Sequence, residues 1–151
     1  MNTTEPVTIH NATKLYQLLE LAINDAEALQ NDPRYKLDMG AWHDGTHPKN
    51  VDNACHVCMA GAVMARQLNA TITDNVTPSC YDVDIDNKLS AINQLRRGNV
   101  YIAYQHLPSN TLNYKALISL CHAADEDSMN PQYTGFKAHK ALAAKLKELD
   151  I

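Results

Sequence analysis

Glycine is scarce here, with only 5 in 151 residues, and none of them forms a phosphate-cradling pattern. G-x-G-x-x-G and G-x-x-x-x-G-K-[ST] loops are both missing, as are a G-x-S-x-G elbow and an H-E-x-x-H helix. Nucleotide-binding loops and the commonest hydrolase and metalloprotease signatures are thereby excluded. Excess positive charge is missing too. The formal net charge is −4, which disfavours general nucleic-acid binding, because a duplex binder carries a basic face. Arg96-Arg97 is the one compact basic candidate. Long apolar runs are absent: the longest, Val57 to Ala65, falls well short of the roughly 20 residues a bilayer needs, so no membrane partner is expected. The opening MNTTEPVTIHNATK has neither a basic start nor an apolar run, so no signal peptide is expected. The cysteines, Cys55, Cys58, Cys80 and Cys121, are too few for a disulfide scaffold and read as reduced thiols of a cytoplasmic protein.

What is present suits one globular domain. Hydrophobic residues make up 45% and charged residues 20%, enough to build a core and keep a wet surface. The expected fold is mainly α: a compact single-domain bundle of five or six helices with at most a small β-hairpin. Residues 1–10 read as a loose leader and 11–151 as the helical domain. Asn11 is placed as the cap of a helix to about 30, whose stripe is Leu15, Leu18, Leu19, Ala22, Ile23, Ala26 and Leu29. Asn31-Asp32-Pro33 ends it. Tyr35 to Trp42 alternates and is the best strand candidate. His43 to Asn53 is polar, holds Gly45 and Pro48, and reads as a loop of the kind that carries sites. Further helices are expected over about 54–68, 87–97, 111–124 and 136–149. Gly98 suits the left-handed end of the 87–97 helix. Val100 to Leu107 reads as a short helix, although VYIAY is rich in strand formers.

The stretch DNACHVCMAGAVMARQL at 52–68 holds the densest chemistry. His43, His47, Cys55 and Cys58 give H-x3-H followed by C-x2-C, and each half has a spacing used by structural zinc. If Asn53 starts a helix, Cys55 lies in its first turn. The amides there stabilise a thiolate, and His43, His47 or His122 is a candidate base. The packing reading is simpler. Cys55 and Cys58 act as small apolar residues, Ala60, Gly61, Ala62 and Ala65 let a central helix approach its neighbours, and Trp42 covers it. Asp82, Asp84 and Asp86 resemble the opening of a calcium loop, but Asn87 and Asn93 stand where Gly and Glu are needed, so helix capping is the better reading. No cofactor is expected, with zinc as the alternative.

LDMGAWHD, CHVCMAGAVMARQL and LSAINQLRRGNV together resemble a set of small uncharacterised proteins of tailed bacteriophages. The similarity spans roughly residues 34–107 and rests on the Trp42-His43 pair, the C-x-V-C-x-A-G-A-V-x-A segment and the L-R-x-G turn at Leu95–Gly98. The resemblance implies a bacterial host cytoplasm and an accessory role, and it supplies no catalytic residues. The expected function is therefore a non-catalytic accessory protein that binds and modulates a host bacterial protein of a defence or nucleic-acid-processing system. Its expected contact surface is Trp42, His43, His47, Arg96, Arg97 and Tyr101. A zinc-stabilised module and a small thiol-dependent enzyme using Cys55 are the alternatives, and self-association stays open.

Overall fold

The computed structural model describes residues 6–46, 53–107, 114–128 and 136–151. In chain order the elements are α1 (Leu15–Gln30), β1 (Tyr35–Leu37), β2 (His43–Asp44), β3 (Cys55–Val57), α2 (Met59–Gln67), a 3-10 turn (Pro78–Cys80), α3 (Val83–Arg96), α4 (Val100–Tyr104), α5 (Tyr114–Ser128) and α6 (Lys137–Glu148). The fold is mainly α, with six α-helices and one small sheet among the described residues. None of these helices is long and apolar enough to cross a membrane.

α1 is the spine. Every residue of its expected stripe is buried, together with Leu21 and Asp25. It packs on α2 and α6, and α5 packs on α6. Full burial of each such leucine or isoleucine is worth about 1.5–3 kcal/mol. The helix starts at Leu15, one turn after the expected cap. Asn11 closes a turn instead, accepting from the Thr8 N–H at 2.7 Å, and the Gln17 side chain accepts from the Thr13 and Lys14 N–H groups at 2.9 and 3.1 Å. Of the expected loose leader, residues 1–5 lie outside the described residues. Ile9 is anchored, because its side chain is fully buried and its backbone is held by Gln67 and Lys88.

The sheet has the order β1-β3-β2, with β3 in the middle. β1 runs parallel to β3 (Tyr35 opposite Cys55, Leu37 opposite Val57), and β2 runs antiparallel to it (His43 opposite Val57). This corrects the helix expected over 54–68. Asn53 sits at φ 56° and starts no helix, and 55–57 is a strand whose Cys55 and Val57 point inward. The cause is tertiary: a three-residue segment flanked by two pairing strands satisfies its backbone on both sides. The helix begins only at Met59, and Cys58 is its N-cap.

α3 also starts earlier than expected. Asp82 caps it, accepting from the Ile85 N–H at 2.9 Å, and Asp84 and Asp86 lie in its first turn, where the helix dipole favours them. Residues 100–104 are helical, as the spacing suggested, with Asn99 as cap. Gly98 stands between α3 and α4 at φ 68°, in the left-handed region. A Cβ there would also strike the Cys121 carbonyl of α5, so the helix stop is a close-packing point as well.

Candidate functional site

Three segments distant in sequence meet beside the sheet. The first is the turn 38–42 between β1 and β2. The Asp38 carboxylate folds this turn by accepting from the Gly40 N–H at 2.9 Å, and it faces His56 Nδ1 at 3.0 Å. That His56 contact holds the Asp38 carboxyl below its ordinary range. The second is the start of α2. Gly61 lies against Trp42 so tightly that a Cβ would fall on the Trp42 carbonyl oxygen, which also accepts from the Cys58 N–H at 3.4 Å. The close backbone approach expected of this glycine is thus made by the residue next to β2. The third is the end of α3, with Arg96 in its last turn and Arg97 as its C-cap, where the negative end of the helix dipole favours cations.

Between them lies a cavity of about 250 Å³. Met39, Ala41 and Trp42 give it an apolar edge, and Cys58, Asn93, Arg96 and Arg97 line the rest with Gly40. Arg96 is 8% exposed. Its Nε and Nη2 both donate to Asn93 Oδ1, at 3.1 and 2.7 Å, which fixes the plane of the guanidinium. Arg97 is exposed and makes no ion pair among the described residues. Trp42, Arg96 and Arg97, all expected at a contact surface, are therefore brought to one place.

The other expected residues separate. His43 is fully buried, which removes it from the contact surface. The reason is β2: pairing with β3 turns its ring inward, where Nδ1–H donates to the Asp74 carbonyl at 2.8 Å. Tyr101 is 70% exposed on α4, edge-on to Tyr104 at 6.1 Å, and does not line the cavity. His47 lies outside the described residues. Asn93 went unnoticed in the sequence, although its position three residues before Arg96 puts both on one helix face.

Cys55 does meet a histidine. Its Sγ lies 3.6 and 3.7 Å from Nε2 and Nδ1 of His43, nearly equidistant, so the sulfur faces the ring rather than one nitrogen. Both residues are 0% exposed. Burial, with the Asp44 and Asp74 charges adding, pushes the Cys55 thiol up to about 11. This reverses the thiolate stabilisation expected in a first helical turn, because Cys55 stands on a strand. Cys58 holds the helix terminus instead, its Sγ accepting from the Gly61 N–H at 3.4 Å, and burial pushes its thiol up as well. The two cysteines therefore have different partners. Among the described residues no three His, Cys, Asp or Glu side chains gather as a metal site. His122 is exposed on α5.

Set against family models, curated proteins and solved structures, the chain matches none of them.

Proposed function

We propose that this chain is a non-catalytic accessory protein that binds another protein and modulates it. Following the phage resemblance, the partner is a host bacterial protein of a defence or nucleic-acid-processing system. One observation carries the reading: Trp42, Arg96 and Arg97 converge on a single cavity at the protein surface. Tryptophan and arginine are the residue types that most often anchor protein interfaces. The chemistry at Cys55 points the same way, since a buried neutral thiol is a poor nucleophile.

The test is capture from bacterial lysate with three baits: the wild-type chain, Arg97→Glu, and Lys147→Glu, whose change lies in a separate groove beside α1 and α6. The expected result is one stoichiometric partner held by wild type and Lys147→Glu and lost by Arg97→Glu. No stoichiometric partner, or one that Arg97→Glu retains, counts against the reading.

The contact of Cys55 with His43 gives the zinc-stabilised module its one support, because two of its four candidate ligands touch. Elemental analysis of protein purified without chelator separates the two readings. Structural zinc is held tightly, so less than about a tenth of an equivalent ends the second one.

A further inference from the structure

We propose that the groove between α1 and α6 seats a second copy of this chain, related by a two-fold axis that runs along the groove. This goes beyond the binding reading above and stands on other elements. Charge placement is the first argument. α1 and α6 run antiparallel: the Leu15 N–H donates to the Ile151 carbonyl at one end, and Lys140 meets Glu27 at 3.1 Å towards the other. Glu20 and Glu27 stand about two helical turns apart on α1, and so do Lys140 and Lys147 on α6. The α1 edge of the groove is therefore acidic and the α6 edge basic, with Glu20 level with Lys147. Glu20 and Lys147 make no ion pair among the described residues.

An axis along the groove lays the acidic edge of each copy on the basic edge of the other, level for level. Glu20 then faces Lys147 of the second copy, and Lys147 faces its Glu20. The two Glu27–Lys140 pairs join into one network of four charges. An axis across the groove would set acid on acid and lysine on lysine, so charge selects between the two arrangements.

Shape is the second argument. The groove holds about 310 Å³, and Asn24, Ala143, Ala144 and the buried Ile23 form its floor. Short side chains between the charged edges leave room for a facing helix. α6 has 12 residues, so a two-helix face covers roughly 400 Å² per copy, about half that of a stable interface. Such a face suits a weak dimer, with a dissociation constant of about 10 μM to 1 mM at low ionic strength. In the cavity beside α1, α3 and α4 the lysines are engaged within the chain: Lys88 by the Ile9 and His10 carbonyls and Asp84, Lys14 by Asp150.

Sedimentation equilibrium of the full chain at rising concentration is the test, with circular dichroism to show that each variant is folded. Wild type is expected to dimerise reversibly, and to do so at least about tenfold more weakly at about 1 M salt, where the screening length falls to roughly 3 Å. Glu20→Lys alone and Lys147→Glu alone each oppose like charges and are expected to weaken the dimer about tenfold or more. Mixed in equal amounts, the two variants are expected to form a heterodimer of wild-type strength, because each supplies the charge the other lacks. A wild-type chain that stays monomeric to about 1 mM, a dimer that survives both single changes, or a mixture that stays monomeric overturns the proposal. So does a dimer that Arg97→Glu abolishes and Lys147→Glu leaves intact, which would seat the second copy at the 38–42 turn. Lysate capture fails or succeeds separately, since its partner is expected to be held by Lys147→Glu as firmly as by wild type.

Discussion

Four thiols in one chain differ sharply in environment. Cys80 is exposed, and hydrogen bonding from Thr77 holds its thiol below the ordinary value. Cys55 and Cys121 are buried and pushed up to about 11, and Cys58 is pushed up as well. Iodoacetamide at pH near 8 should therefore modify one thiol per native chain quickly, and Cys80→Ser should remove that phase. Rapid alkylation of Cys55 would revive the thiol-enzyme reading. At this scale the sequence was partly legible. Trp42, Arg96 and Arg97 stood out by type and line one cavity. The C-x2-C pair misled, because these four residues carry a whole short strand and a helix cap, and spacing alone cannot show that the two sulfurs have different partners. His43 misled for a related reason: its polar neighbours suggested a loop, yet pairing with β3 buries it.

Helices with long apolar stripes declared themselves, and short pieces held by distant partners did not. The α1 stripe spans four turns and survives any local ambiguity. β3 is three residues long, and both its neighbours come from earlier in the chain, so no local pattern announces it. Gly98 was legible because a helix end is set by local backbone chemistry, and Gly61 because a glycine inside a helix marks a close backbone approach. They also yield predictions. Gly61→Ala places a methyl on the Trp42 carbonyl and should cost about 1–3 kcal/mol through overpacking. Gly98→Ala meets a left-handed backbone, about 1–2 kcal/mol, and collides with the Cys121 carbonyl besides. Urea denaturation followed by circular dichroism reads both. Gly61→Ala should also shift Trp42 emission in the native state, which Gly98→Ala should not, since only Gly61 touches the turn that forms the cavity.

Across the whole molecule one core cluster links Ile9 near the start to Ile151, and buried polar contacts tie its parts together. His139 of α6 is fully buried and donates from Nε2 to the Arg96 carbonyl at 3.1 Å, joining α6 to the end of α3 below the cavity-lining arginine. Burial drives its pKa below 6.5, opposed by that hydrogen bond and by Asp127, while the Arg96 charge lowers it further. The unfolded chain then binds a proton that the native chain refuses. Stability should fall as pH drops through about 6.5 towards the native value, and His139→Gln should flatten that slope between pH 7 and 5. Asp25, raised by burial despite hydrogen bonds from Gln67 and Arg66, works in the opposite sense at more acid pH, because there the native chain takes up a proton first.

The proposed binding role places partner contact at the junction of the 38–42 turn with the end of α3. It is tested by the amide and Trp42 indole N–H spectrum of ¹⁵N-labelled protein as the captured partner is added. Shifts should concentrate at Gly40, Ala41, the Trp42 indole, Asn93 and Arg97, and the Arg97→Glu variant should show none at equal partner concentration. Shifts confined to α1 and α6, or a response unchanged by Arg97→Glu, would place the contact elsewhere and rule out this surface.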